Sequence, residues 1–485
     1  MMNGYKIPQE ARLILERLKG AGFEAYIVGG CVRDLILNKE SNDWDITTNA
    51  KPEKIQEIFP DSFYENNFGT VGIKTESEDE KLKVIEVTTY RTEGEYKDSR
   101  RPEGVQFVES LEDDLKRRDF TINAIAMDID GKIIDPFGGQ EDLSKKTLRA
   151  VGDPSARFNE DALRMMRAIR IATQLNFDID AGTFQACCDL SKNLNNISKE
   201  RIRDELNKMI MTDHARQGAE LLKDTGLMRY IIPELLEGVN CGQNKHHVYS
   251  VWEHNTRALE YTCQQGYSLA VRLGSLLHDV GKPRVKRGEG YDSTFYNHEV
   301  VGAHMTAKIM HRLHYSNDIA DKVTKLVRWH LFYYNVGEVT ESSVRRLIAN
   351  IGKENVEDLL KVREADRIGS GVVKAVPYRM RHMKFMIEKV SRDPISAKML
   401  KLNGSDIMSL LDLKPSPRLG MIIASLMNEV LDDPEKNTRE YLEHRAGELN
   451  LMSDAELQDL QKQGKSKMAE EEAKEVREIK KKHKV

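Results

Sequence analysis

The hydrophobic pattern changes character near residue 150. Before that point short apolar runs mix with helical spacing, and from Phe158 onward the pattern is helical almost throughout. Ala11, Ile14, Leu15 and Leu18 share one face of an amphipathic helix within residues 1–25. Tyr26-Ile27-Val28 reads as a strand, closed by Gly29-Gly30 and followed by a short helical piece with Arg33 and Asp34 one turn in. After a polar turn at 38–42, Asp43-Trp44-Asp45-Ile46 predicts a second strand. Residues 52–59 then predict a helix, and 68–74 and 82–90 two more strands. The stretch 91–104 (RTEGEYKDSRRPEG) predicts a mobile loop. Residues 115–128 (LKRRDFTINAIAMD) predict a helix held to the sheet by Phe120, Ile122, Ala124, Ile125 and Met127, and the turn at 135–139 closes this first unit near residue 150. Helices follow at 160–172, 198–210 and 214–227, then through 245–370. The last stretch, 462–485, mixes acidic and basic runs and predicts a frayed or disordered tail whose lysines add weak, salt-sensitive affinity for a polyanion.

This pattern gives an α+β fold class, with a mixed sheet and helices in front and an all-α remainder. The expected division is 1–150, 151–240, 241–385, 386–460 and a charged tail at 461–485. A length of 485 residues agrees with several domains. Charged residues make up 31% of the chain and no apolar run nears the roughly 20 residues of a membrane helix, so no membrane partner is expected. The N-terminus shows no signal-peptide pattern. Cys31, Cys187, Cys188, Cys241 and Cys263 lack CxxC spacing, which argues against a zinc knuckle or disulfide framework and points to the cytoplasm. A net charge of −4 carries no global nucleic-acid signature, so RNA binding must rest on local basic patches. Oligomeric state is not legible.

The chemistry concentrates first in residues 26–48. Paired glycines let a backbone approach a bulky ligand and turn N–H groups toward an anion, and Arg33 lies where a phosphate would. In a strand Asp43 and Asp45 project to one face, and two carboxylates so close repel unless a hard cation such as Mg²⁺ lies between them. DxD alone reads as two aspartates in a solvated turn; in the context GG…VRD…DxD it reads as a phosphate-and-metal site. Glu86 is the one acid in an apolar, β-branched strand, and a buried lone carboxylate must pair or bind metal. Asp119 and Asn123, four apart beside Arg118, suit a sugar hydroxyl and a triphosphate, although taken alone they read first as a cap or salt bridge. Asp161 and Arg164, with Arg167 and Arg170 nearby, form an acceptor beside a donor. That edge complements cytosine and adenine and opposes uracil and guanine, although an ordinary intrahelical salt bridge has the same spacing.

These pieces resemble the class II tRNA nucleotidyltransferases, the CCA-adding enzymes and bacterial poly(A) polymerases of the polymerase-β superfamily. The matching motifs, in the family's order, are VGGCVRD (28–34), DWD (43–45), IEVTTYR (85–91), RRDFTINAIAMD (117–128), EDALRMMRAIR (160–170) and ERIRDEL (200–206). The resemblance implies that Asp43 and Asp45 are the catalytic Mg²⁺ carboxylates and Glu86 the third acid. It assigns Gly29, Gly30 and Arg33 to the triphosphate, Arg118, Asp119 and Asn123 to ribose and phosphates, and Asp161 and Arg164 to the incoming base. The loop matching 91–104 is full-length, which favours complete CCA addition over CC addition. The extra basic signature of bacterial poly(A) polymerases is not evident after RRDFTINA.

A second constellation follows: His254, the adjacent pair His278-Asp279 in LLHDVGKP, His298, His330 and Asp366. His-Asp at a helix end with further ligands from separate helices suits a bundle-core metal site, and a mixed N/O set suits Mn, Fe, Co or Ni better than structural zinc. The order H…HD…H…H…D looks like an HD-superfamily phosphohydrolase domain. That resemblance implies a core of His254, His278, Asp279 and Asp366, with His298 and His330 as the extra ligands of binuclear members and Asp279 bridging. Lys282 would steady a phosphate, while His304, His311 and His314 read as surface or packing residues. Residues 399–433 resemble the small helical element that follows the HD domain in some CCA-adding enzymes, departing from its usual KPGP at Lys414-Pro415-Ser416-Pro417. The expected function is CCA addition to the tRNA 3′ end from CTP and ATP, with phosphohydrolase activity on 2′,3′-cyclic or terminal phosphates. The rivals are a poly(A) polymerase or CC-adding enzyme, and an HD phosphohydrolase whose front domain only binds RNA or nucleotide.

Overall fold

A computed structural model describes residues 5–41, 43–66, 69–93, 105–244, 248–332, 334, 339–372, 376, 378–390 and 399–460. The chain forms two compact units. One comprises Met1–Gly242, Ser250–Leu273 and Ala307–Ala320; the other comprises Gln243–Tyr249, Gly274–Thr306 and Asp321–Val485.

The first unit is built on a mixed sheet. Its strands are β1 (Ala25–Val28), β2 (Asp45–Thr48), β3 (Ser62–Asn66), β4 (Thr70–Lys74), β5 (Val84–Thr89), then, after a separate two-stranded ribbon of β6 (Arg91–Glu93) and β7 (Val105–Phe107), β8 (Ala126–Met127) and β9 (Ile133–Ile134). Across the sheet the order is β3-β4-β5-β2-β1-β8-β9. The central strands are covered on both sides, so β1 and β2 are nearly continuous apolar or Thr runs rather than alternating ones. The Gln9–Gly20 helix supplies part of that cover through Ala11, Ile14, Leu15 and Leu18.

Register is what positions the chemistry. β1 runs antiparallel to β2 with Val28 opposite Asp45, which delivers Gly29 to the start of β2. β2 runs parallel to β5 with Asp45 beside Glu86, and neighbouring positions on adjacent strands point to the same face.

Two expected helices are corrected. Residues 115–128 do not form one helix. A short helix, Leu111–Lys116, ends before Arg117, a 3₁₀ turn covers Thr121–Asn123, and β8 follows. The cause is local competition for backbone groups: the Asp119 carboxylate accepts from Phe120 N–H (2.9 Å), and Phe120 bridges to Ala150. Residues 160–172 likewise split into Pro154–Glu160 and Leu163–Leu175. Asp161 lies between them in an extended conformation, its side chain accepting from Leu163 N–H at 3.0 Å as an N-capping aspartate does. The expected loop 91–104 is bounded by the β6–β7 ribbon, and its residues 94–104 lie outside the described residues, as does the tail 461–485.

The second unit is helical. The helices that matter for the site are Asn317–Trp329, Val356–Gly369 and the first turns of His298–Arg312. Further on, Gly404–Leu411, Pro417–Asp432 and Arg439–Leu451 pack round Leu402, Ile407, Ile422, Leu426, Val430 and Leu442. In the expected turn at 414–417, Ser416 caps the Pro417–Asp432 helix.

Candidate active and metal sites

Gly29 has φ +84°, a conformation that costs a residue with a side chain, and it lies between two functional groups. A Cβ placed there would sit 3.1 Å from Arg118 Nη1 and 3.5 Å from Asp45 Oδ2. The backbone thus passes through a slot that only glycine fits, with a guanidinium and a carboxylate on its walls. Asp43 precedes β2 rather than lying in it and is exposed, with Ser41 Oγ donating to its carbonyl (2.8 Å). Burial pushes the Asp45 carboxyl above its usual pKa and neighbouring Asp43 adds to this, while Arg118 opposes it. A cation held by that carboxylate would relieve the same cost. Glu86 is exposed, not buried, so the reasoning that singled it out is corrected; its place beside Asp45 across the β2–β5 register now carries it.

The nucleotide set is tied together by hydrogen bonds. Arg33 Nη1 donates to Asn123 Oδ1 (2.9 Å), Asn123 Nδ2 to Asp119 Oδ1 (3.2 Å), and Arg167 Nε to Asp119 Oδ2 (2.7 Å). The chain of contacts runs from the Gly30–Ile36 helix that follows β1 to the Leu163–Leu175 helix. Burial would raise the Asp119 pKa, but Arg167, Asn123 and Arg164 outweigh it and hold the carboxyl down at about 2. Arg164 is buried, its guanidinium on Glu160 (2.6 Å) and on the Arg117 carbonyl (3.2 Å). Asp161 accepts from Arg201 (3.0 Å). Asp161 is thus anchored by Arg201 and Arg164 by Glu160 and the Arg117 carbonyl, while the Arg164 backbone N–H donates to the Asp161 carbonyl (3.0 Å). Arg170 is turned to the buried Glu205 at 2.6 Å, a bracket between two helices.

Sequence reading passed over Asp114. It is fully buried, accepting from Arg117 Nε (2.9 Å), Arg118 Nη2 (3.4 Å), Thr47 Oγ1 (3.2 Å) and the Arg91 backbone N–H (3.3 Å). One carboxylate thus anchors β2, the root of the β6–β7 ribbon and the arginine beside Gly29. The available signal was its spacing, three and four residues ahead of Arg117 and Arg118.

In the second unit three histidines are oriented alike. His278, His298 and His330 each place Nδ1 at 2.7 Å from the backbone carbonyl three residues earlier: Ser275, Phe295 and Val327. A carbonyl only accepts, so Nδ1 carries the proton and Nε2 is left as the ligating nitrogen. The three Nε2 atoms converge on Asp279 at 3.2, 3.2 and 3.6 Å, and Asp366 lies 3.6 Å from His278 Nε2. All five side chains are buried. Burial works against a charged His278, but Asp279 and Asp366 outweigh it and raise its pKa to about 10; burial lowers that of His330 to about 4. Nitrogen and carboxylate donors arranged this way fit a divalent metal. Gly281 makes the arrangement possible, because a Cβ there would meet the His298 carbonyl at 2.3 Å and Gly302 N at 2.6 Å. Two backbones touch at that point, which brings the His298 turn against Asp279. Lys282 is buried against Asp279 Oδ2 (2.5 Å) and Gln243 (2.7 Å). His254 is buried on the Val251–Gln264 helix, in the first unit. His304, His311 and His314 are exposed.

Comparison with known proteins follows this geometry. Residues 25–149 match the Poly A polymerase head domain, 176–238 the probable RNA and SrmB-binding site of polymerase A, and 246–369 the HD domain. The CCA-adding enzyme of Enterococcus faecalis is 34% identical over 445 residues, covering 90% of this chain and 94% of that enzyme. The chain belongs to the CCA-adding enzymes. Similarity rises in one part, since the CCA-adding enzyme of Lactobacillus helveticus is 50% identical over 219 residues. That match is 45% of this chain, which spans about half (54%) of the relative's length. Among solved structures, the CCA-adding enzyme of Bacillus stearothermophilus in complex with CTP superimposes with a TM-score of 0.66 at 28% identity, over 91% of this chain and 97% of that one. CCA-adding enzymes are tRNA nucleotidyltransferases, and this member carries both the head sheet and an HD domain. Among its described residues no helix is long and apolar enough to cross a membrane.

Proposed function

We propose that the chain adds CCA to the tRNA 3′ end from CTP and ATP by metal-dependent nucleotidyl transfer in the cytoplasm. The observation that carries this reading is the slot at Gly29, with Asp45 on one wall and Arg118 on the other, in a chain of this family. Asp43, Asp45 and Glu86 would hold Mg²⁺, which supplies charge neutralisation at the α-phosphate and a more acidic 3′-hydroxyl. Gly29, Gly30, Arg33 and Arg118 seat the triphosphate so that the α-phosphorus faces the RNA 3′-oxygen. That oxygen bonds to phosphorus and pyrophosphate leaves. Asp119 and Asn123 set the ribose side, each held in place by the Arg33–Asn123–Asp119–Arg167 chain of contacts. Asp161 and Arg164 present acceptor and donor to cytosine or adenine, and Arg167 supports them. We assign 1–150 to the catalytic head, 151–240 to the base-reading and RNA-binding neck, 241–385 to the HD domain and 386–460 to a helical C-terminal element.

A second activity is favoured by the convergence of three oriented imidazoles on Asp279. We assign His278, Asp279, His298, His330 and Asp366, with His254 on the family pattern, to a site for Mn, Fe, Co or Ni that hydrolyses a 2′,3′-cyclic or terminal phosphate. Lys282 would steady the phosphate.

Purified protein with Mg²⁺ and a tRNA lacking its last three nucleotides tests the main reading. Growth by two residues with CTP and three with both nucleotides, then a stop, is expected. A stop at two with both nucleotides identifies a CC-adding enzyme, a long ladder with ATP alone a poly(A) polymerase, and no extension turns the assignment to the HD site.

A further inference from the structure

The Tyr378–Val390 helix of the second unit has two contrasting faces. Met380, Met383, Met386 and Val390 are buried. Tyr378, His382 and Phe385 follow one another at intervals of four and three and line a separate stripe. Tyr378 is 61% exposed and Phe385 58%. With four apolar side chains already buried, the helix has no packing need for two large aromatic rings in water. The rings are held in place nonetheless. Tyr378 and His382 centroids lie 6.0 Å apart, His382 and Phe385 5.9 Å apart edge to face, and the Tyr334 ring lies 5.7 Å from His382, with its hydroxyl on His382 Nδ1. Four rings make a ledge pinned from a neighbouring segment.

Charge chooses the occupant. The helix bears Arg379, Arg381, Lys384 and Lys389 against Glu388. Lys384 is paired with Glu364 and Lys389 with Glu341. Arg379 and Arg381 are exposed and have no carboxylate partner among the described residues. Arg381 donates to the Val376 carbonyl, and its guanidinium carbon lies 6.0 Å from the Tyr378 ring centroid. Ring faces for bases beside unpaired guanidinium groups for phosphates are what an unpaired RNA strand requires.

We propose that Tyr378, His382 and Phe385, flanked by Arg379 and Arg381, form a stacking platform for unpaired bases of the RNA substrate. It is a second grip, carried by the HD-bearing unit and separate from the residues that hold the nucleotide. The proposal rests on the reading that the substrate is RNA.

The test uses the full chain with Tyr378→Ala and Phe385→Ala combined, checked for an unchanged thermal midpoint. Binding is followed by fluorescence anisotropy with tRNA lacking its last three nucleotides, beside a fully paired RNA duplex. The expected result is a tRNA Kd and KM raised about tenfold or more, as loss of base stacking gives, with the KM for CTP and the duplex Kd unmoved. Replacing both rings by Trp keeps stacking and restores binding. Arg379→Ala with Arg381→Ala flattens the salt dependence. Unchanged tRNA Kd and KM in the double alanine variant overturn the platform and leave nucleotide addition standing. A wild-type protein that binds tRNA through the platform but extends nothing overturns nucleotide addition instead. If the alanine variant alters only sedimentation, the stripe is a self-association surface and the proposal falls.

Discussion

At Asp45 two demands meet on one side chain. Its carboxylate must be ionised to bind a cation, yet burial and Asp43 make ionisation costly. Replacing it with Asn keeps the shape and removes the charge. Nucleotide incorporation by Asp45→Asn should fall about 10³-fold or more, while hydrolysis at the HD site is retained; a variant that still extends tRNA at a tenth of the wild-type rate removes Asp45 from the catalytic set. Gly29 makes a subtler case. Gly29→Ala adds one methyl group at φ +84° and 3.1 Å from Arg118 Nη1. The positive φ costs a side-chain-bearing residue about 1–3 kcal/mol of backbone strain, and the guanidinium has to give way to the added methyl group. We expect the KM for CTP and ATP to rise about tenfold or more, with tRNA affinity measured without nucleotide unchanged. Equal KM values in variant and wild type would mean that the slot is not where the triphosphate lies.

Between elements, the decisive contact is Asp119 with Arg167, which joins the turn after Leu111–Lys116 to the Leu163–Leu175 helix. The folded Asp119 pKa of about 2 lies below the unfolded value of roughly 4. A depressed carboxylate pKa gives stability that is full above the unfolded value and is lost as pH falls through the folded one. Asp119→Asn should therefore cost about 1–3 kcal/mol at pH 7, discounted for the partial exposure of Arg167. Its stability should also vary less than that of the wild type between about pH 4 and pH 2. Denaturant melts across that range decide the matter, and parallel curves for the two proteins would place the charge pair outside the stability balance. The same elements show what a sequence does and does not disclose. Strands β1, β2, β4 and β5 were legible because each is a short apolar or β-branched run bounded by polar or glycine-bearing turns, as Tyr26–Val28 is by Gly29-Gly30. The helices at 115–128 and 160–172 were misread because Asp119 and Asp161 cap backbone N–H groups locally, and apolar spacing is blind to that competition. Asp45 beside Glu86 was half legible: both acids stood out, but parallel register across 41 residues is a tertiary fact. Asp114 was hidden for the same reason, since two of its four partners, Thr47 and Arg91, come from distant strands.

For the whole molecule, two sites of different donor chemistry predict two different metal requirements. The head offers only carboxylates, Asp43, Asp45 and Glu86, which match a hard cation that keeps water and phosphate oxygens around it. The HD site offers three imidazole nitrogens with their tautomers fixed by backbone carbonyls, plus Asp279 and Asp366. Mg²⁺ binds nitrogen poorly, whereas Mn, Fe, Co and Ni accept it readily. Exhaustive chelation should therefore abolish both activities, and Mg²⁺ alone should restore nucleotide addition without restoring hydrolysis of a 2′,3′-cyclic nucleotide. Adding Mn²⁺, Co²⁺ or Ni²⁺ in about one to two equivalents should restore the hydrolysis. In His278→Ala with Asp279→Ala the second restoration should fail and the first should be untouched, because the substitutions remove ligands of the HD site and none of the head carboxylates. Both activities returning with Mg²⁺ alone would contradict the nitrogen-rich assignment. The tighter readout is metal content after gel filtration: the wild type should retain the transition metal and the double variant should lose it, whatever substrate the HD site proves to hydrolyse.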